Sequence, residues 1–121
     1  MENHDSHAVV AERIRTDRRL PDGDGIDVWI MRRGGADGPP VAASDLGETL
    51  RWRRDAGLPP LPAAQIAACV APYGVDVQRG MLRTATDAAG CADAVARVAA
   101  AAAALATAGT ADAAAMPPSA A

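Results

Sequence analysis

Apolar and polar residues alternate from Ile26 to Arg32. A period of two sends Ile26, Val28 and Ile30 to one face of a strand and Asp27, Trp29 and Met31 to the other. Gly34 to Gly38 is turn chemistry, the tip of a hairpin. Pro39 and Pro40 lack the N–H a ladder needs, so pairing is expected from Val41. This gives an antiparallel hairpin of 25–32 and 41–44. Val75, Val77, Met81 and Leu82 flank Gln78-Arg79-Gly80 and predict a second, short hairpin near 75–84.

Helical periods fill the rest. Asp45 is a good N-cap, and Glu48, three residues on, is placed to reach back to the Asp45 N–H. Asp45, Gly47, Glu48 and Thr49 therefore form the expected start of a helix over 45–56. Gly47 costs helix stability and leaves room for a close approach by another backbone or a ligand. Gly57 and Pro59-Pro60 end the helix. A second helix is predicted over 62–71, with Leu61, Ile66, Cys69 and Val70 as its apolar stripe and Tyr73-Gly74 as its close. A third is predicted over 87–106, capped by Thr86 or Asp87. Cys91, Val95, Val98, Ala102 and Leu105 recur at steps of four and three, one buried face. Asp93 and Arg97 form an i,i+4 pair outside it.

The expectation is an α+β domain: a small antiparallel sheet of two short hairpins packed against about three helices. Residues 19–106 form the single domain. Residues 1–18 are read as a flexible N-terminal segment, within which Val9–Arg15 is either a first strand or the end of a short helix. Residues 107–121 are read as a disordered Ala/Pro/Ser tail.

Composition adjusts this picture. The chain has 121 residues, and half are hydrophobic, but phenylalanine is absent and only two Trp and one Tyr are present. Alanine supplies much of the apolar content and buries little area, so the core is expected to be modest and helped by self-association. All twelve basic residues are Arg, which with the alanine content points to GC-rich coding rather than to nucleic-acid binding. The formal charge of −3 gives no global attraction to phosphate. Cys69 and Cys91 belong to no C-x-x-C or Cys/His cluster and are read as small buried residues. No secretory or membrane-spanning run is present, and the expected location is cytoplasmic.

Candidate chemistry is sparse. Asp22, Asp24 and Asp27 crowd the turn before Ile26, but the twelfth position of a calcium loop is Arg33 rather than Glu. His4 and His7 lie in the polar N-terminal stretch, so Ser/His and Cys/His schemes have no placed base. Asp24 with Asp27, or Asp45 with Glu48, are carboxylate pairs that turn formation and capping already explain. Gly34–Gly38 lacks the lysine of a phosphate loop and precedes a strand. No catalytic residue, metal or cofactor is assigned. Arg51-Trp52-Arg53-Arg54 is the one basic cluster with an aromatic, although successive residues on a helix do not share a face.

Once these pieces are in order, a resemblance emerges. Asp45–Trp52, Arg79–Leu82, the order of elements and the Asp-Gly-Asp entry to the first strand resemble the family catalogued as domain of unknown function 1828. That family is found in bacterial and phage genomes, and the resemblance spans residues 19–106. It implies the α+β fold and no functional residue. The chain departs from the family at Arg19, Arg53 and Gln78, where aromatic or aliphatic residues are usual, and in its Ala-rich helix end. These departures predict a weaker core.

The leading functional expectation is a non-enzymatic protein-interaction or self-associating module. It rests on unprotected sheet edges and on an outward Trp29 and Met31. The alternative is a nucleic-acid-binding accessory or regulatory protein using Arg51, Trp52 and Arg54. A small hydrolase or a metal-binding protein comes after both.

Overall fold

The structure, a computed structural model, describes residues 9–109. The elements in chain order are β1 (Val9–Arg19), β2 (Gly25–Arg33), β3 (Pro40–Ser44), α1 (Glu48–Asp55), α2 (Ala63–Val70), a 3₁₀ turn (Ala71–Tyr73), β4 (Asp76–Gln78), β5 (Met81–Ala85) and α3 (Cys91–Thr107). The fold is α+β, and all its strand pairs are antiparallel.

Two expectations about the sheet are corrected. The hairpins are not separate: β3 pairs with β5, joining both into one five-stranded sheet of order β1-β2-β3-β5-β4. The ordered unit also begins ahead of residue 19. Val9–Arg19 form a long edge strand on β2: a flexible segment had been expected through residue 18, and of the two readings of Val9–Arg15 within it the strand is the one seen. Its weak period hides the strand, because Glu12, Arg13, Arg15, Asp17, Arg18 and Arg19 occupy both faces of an edge that solvent reaches. The ladder slips between Arg15 and Arg19, and the Thr16 hydroxyl donates to the Ile26 carbonyl at 2.7 Å across the irregularity. Charges and a bulge are how edge strands resist unwanted pairing, so this edge is better protected than the sequence suggested. His4, His7 and residues 110–121 lie outside the described residues.

The predicted faces of β2 are correct. Ile26, Val28 and Ile30 are buried with Ala43 of β3, Leu82 of β5 and Val70 and Val75 beside them. α3 lies across this face of the sheet, touching β1, β2, β3 and β5. Its buried positions are Ala94, Val98, Ala99, Ala101, Ala102, Leu105 and Ala106. Cys91 and Val95 sit at the border, so the buried face is turned toward the alanines relative to the expected stripe. Small side chains let a helix lie close to a sheet, and a wide alanine face buries where leucine would not fit. α2 buries only Val70, with Leu61, Ile66 and Cys69 half-buried against the core. Both cysteines are half-buried rather than buried.

Arg53 occupies a place that an apolar residue was expected to hold. It is 3% exposed. Its Nη1 donates to the carbonyls of Leu105 (3.0 Å), Ala106 (3.4 Å) and Ala108 (2.7 Å), and its Nη2 donates to that of Pro59 (3.1 Å). Three of these carbonyls lie at or just past the end of α3, where the helix dipole favours a cation, and that of Leu105 also accepts from the Ala108 N–H at 3.2 Å. One guanidinium thus closes α3 and ties it to α1 and to the loop after it. Arg19 and Gln78 are exposed at sheet edges, where no apolar residue is missed. At Arg19 and Gln78 no core contact is lost, and at Arg53 four backbone carbonyls take the place of apolar contact. The Ala-rich end of α3 stays in place because Arg53 holds it. The predicted Arg97–Asp93 pair is present at 2.8 Å, and Arg97 Nη1 also donates to the Gly74 carbonyl.

Replacing Arg53 by Met keeps a flexible stem but removes the guanidinium donor from the carbonyls of Pro59, Ala106 and Ala108. The expected outcome is a loss of about 2 kcal/mol in urea unfolding, the usual cost of buried acceptors left unpaired. If Arg53 were only an intruder in an apolar core, Arg53→Met would raise stability.

Candidate functional site

The junction of β3 and α1 is built around Asp45, which is 1% exposed. Leu46 and Gly47 both take left-handed conformations, φ 52° and 82°. For a leucine that costs about 1–2 kcal/mol. Asp45 makes the turn tenable. Its Oδ1 accepts from the N–H of Gly47 (2.9 Å) and Leu82 (2.8 Å), and its Oδ2 accepts from that of Thr49 (3.1 Å). Its backbone N–H donates to the Leu82 carbonyl at 3.2 Å. The capping box is therefore corrected. With its Asp45 target occupied, Glu48 points outward and pairs with Arg51 at 2.7 Å. The helix begins at Glu48 rather than at 45, because the two left-handed residues come first. Gly47 is needed for its φ and for closeness: a Cβ there would lie 3.5 Å from Met81 Cγ and 3.6 Å from the Gly80 carbonyl oxygen. Gly80 itself, with Arg79, carries positive φ in a two-residue hairpin turn.

Among the described residues, α1, α2 and α3 all lie on the Ile26–Val28–Ile30 side of the sheet, and no helix covers the other. Cross-strand register places Arg13, Trp29, Ser44, Arg83 and Asp76 in one row on that open face. Ala11, Met31, Ala42 and Ala85 form the next row. Trp29 and Met31 are half-buried, less open than the sequence implied, while Ala42 and Ser44 between the larger residues are buried. Arg13 pairs with Asp27 at 2.8 Å beside Trp29. Among the described residues the exposed large hydrophobic is Val9, 50% accessible at the start of β1.

The other candidates separate. Arg51 is taken by Glu48, Arg54 meets its neighbour Asp55 at 3.4 Å, and Arg53 points into the core. Arg51–Arg54 therefore presents no shared basic face. The Trp52 indole N–H donates to Asp22 Oδ2 at 3.0 Å, bridging α1 to the β1–β2 turn. Asp22 Oδ1 accepts from the Asp24 N–H at 3.0 Å. The Trp52 bond first, and then the Asp24 bond, hold the Asp22 carboxyl below the usual carboxylate range. Nothing in the sequence marked Asp22 and Trp52, thirty residues apart, as partners. Between this turn and α1 opens a cleft of about 240 Å³, bordered by Leu20, Asp24, Ile26, Glu48, Thr49, Arg51, Trp52 and Asp55. Among the described residues, no three His, Cys, Asp or Glu side chains converge to hold a metal ion, and no helix is long and apolar enough to cross a membrane.

Comparison of the chain with models of protein families, with curated proteins and with solved structures finds no match.

Two measurements check this geometry. Asp45→Ala strips three backbone donors of their acceptor and frees a strained turn. The expected loss is about 3 kcal/mol, beyond the roughly 1 kcal/mol of an ordinary N-cap. Thermal and urea unfolding read it. The Asp22–Trp52 bond should be intact above the ordinary aspartate value of about 4 and should loosen as pH falls through the lower folded value. In a Trp29→Phe background, Trp52 emission titrated with acid should have its midpoint below that ordinary value, and Asp22→Asn should abolish the transition.

Proposed function

We propose that the domain is a non-enzymatic protein-interaction module that self-associates through the open face of its sheet. The observation that carries this reading is the position of Trp29 and Met31. They stand side by side at the middle of a face without a helix, with exposed Ala11 and Ala85 at the ends of the Met31 row. A rigid indole beside a pliable thioether, rimmed by arginines, has the composition of an interface centre. A two-fold arrangement that sets the Trp29–Met31 knob of one copy toward the small rim of the other satisfies both surfaces at once.

Kinship with the family catalogued as domain of unknown function 1828 is also proposed. Its support is the order of strand, tight turn, helix, helix, hairpin and helix. It assigns no activity. A second reading, single-stranded nucleic acid, draws support from a different place than Arg51–Arg54: Arg13, Arg15 and Arg83 share the face of Trp29, on which a base can stack. Association that persists at high salt speaks for the apolar interface. Binding of labelled oligonucleotide that falls steeply with salt speaks for the other.

Light scattering on the full chain, over a concentration series, is the test of self-association. Trp29→Ala with Met31→Gln is expected to weaken association roughly 30-fold, the loss of one interface anchor worth about 2 kcal/mol. The melting transition should stay cooperative. A wild-type chain that is monomeric throughout the series rejects the proposal.

A further inference from the structure

An apolar groove opens between α1 and α2, on the side of the sheet away from Trp29. Leu50 of α1, Ile66 of α2 and the loop residues Leu58-Pro59-Pro60-Leu61 form its walls, and its volume is about 350 Å³. Leu50, Leu61 and Ile66 are half-buried: each packs partly on the core and turns the rest of its surface to the groove. Pro59 and Pro60 are exposed. In the sequence no charged residue occurs between Asp55 and Asp76. Arg53 and Arg54 supply the charge at the groove's edge. Contiguous apolar surface of this kind marks a place that another segment covers.

The end of α3 indicates which segment. Arg53 Nη1 donates to the Ala108 carbonyl at 2.7 Å and Nη2 donates to that of Pro59 at 3.1 Å, so one guanidinium ties the chain past α3 to the groove wall. Gly109 follows in a left-handed conformation, φ 81°. A Cβ there would lie 3.7 Å from Leu61 Cδ2 and 3.8 Å from Arg53 Nη2, and both residues line the groove. The chain therefore leaves α3 at the lip of the groove, and residues 110–121 continue from that point. Their composition suits it. Ala113-Ala114-Ala115-Met116-Pro117-Pro118 is uncharged, and Asp112 is the one charged residue of 110–121. Arg54 offers Asp112 a cation, since its pair with neighbouring Asp55 is long, 3.4 Å, and exposed.

We propose that residues 112–118 of the same chain occupy this groove. The Met116 side chain enters among Leu50, Leu61 and Ile66, Pro117-Pro118 extends along the wall, and Asp112 meets Arg54 at the edge. A pliable thioether fills an irregular apolar space, and a proline pair has little backbone freedom to lose on docking. Reach is not limiting: the stretch from Gly109 to Met116 spans up to about 23 Å when extended, and the groove begins beside Gly109. Tethering gives the segment an effective concentration on the order of millimolar, so a contact too weak for a separate peptide holds within one chain. Self-association through Trp29 uses the other side of the sheet and does not depend on this contact.

The test is methyl NMR on the full chain, labelled at Ile, Leu, Val and Met methyls. Met116→Ser identifies the Met116 signal by its loss. The expected result is cross-relaxation between the Met116 methyl and those of Leu61 and Ile66. In Met116→Ser the Leu61 and Ile66 signals should shift, while those of Val28 and Leu82 in the core stay fixed. Met116 follows α3 in the chain, so the variant should keep the wild-type melting transition. A Met116 methyl without contact to any groove methyl overturns the proposal, as do Leu61 and Ile66 signals that Met116→Ser leaves in place. A mixture of labelled and unlabelled chains separates the two sources of a tail. Contacts found within one labelled chain support the proposal, and contacts that cross only between copies overturn it and give the groove to a second copy.

Discussion

One buried carboxylate sets the geometry of this domain. Asp45 stands where the central strand β3 ends, and it answers three backbone N–H groups on three different segments: the tight turn, the first turn of α1, and β5. Without it, the left-handed pair Leu46-Gly47 has little to hold it, and α1 has no fixed departure from the sheet. The bond to Leu82 also extends the contact of β3 with β5, the seam that unites two hairpins into one sheet. A buried ion is costly in general. Here the cost is offset by a full set of short donors, and no buried side-chain nitrogen or oxygen among the described residues is left unpaired.

Arg53 does for the far end of the fold what Asp45 does for the near end. Both lie on the 45–55 segment, one at its entry and one inside α1. Asp45 collects backbone donors and Arg53 collects backbone acceptors, so each satisfies groups that a small alanine-rich core has no means to satisfy. The segment is therefore a clamp between the sheet and α3. A domain whose largest fully buried side chains are Leu82 and Leu105 gains little from bulk. Polar closure at the ends of its elements does more for its unique shape.

The legible parts of this fold were those governed by a strict period or by local turn chemistry. The β2 faces follow from Ile26, Val28 and Ile30, and the hairpin at Arg79-Gly80 follows from its turn residues. What escaped depends on distance. The Asp22–Trp52 and Arg53–Leu105 bonds join residues far apart in sequence, and comparison with the pattern the chain resembles marks Arg53 only as an intruder. β1 was read only in part, as one of two alternatives for Val9–Arg15, because an edge strand with charged residues on both faces has little hydrophobic period to read. The capping motif at Asp45 was recognised for its residue types, while its real donors, Leu82 among them, come from the tertiary fold. Of the candidate surface, Trp29 and Met31 were correctly sent to the face away from the core. The cleft at Trp52 was not visible at all.

Placing all three helices on one side of the sheet leaves the Trp29 side to meet its surroundings directly, and the account turns on what covers it. The most direct measurement is a dilution series of backbone amide NMR spectra on the full chain. Resonances of Ala11, Trp29, Met31, Arg83 and Ala85 should shift together with concentration, while those on the solvent side of α3, such as Ala92 and Ala96, stay fixed. Spectra independent of concentration, or shifts confined to α3 or to the β4 edge, would contradict the account.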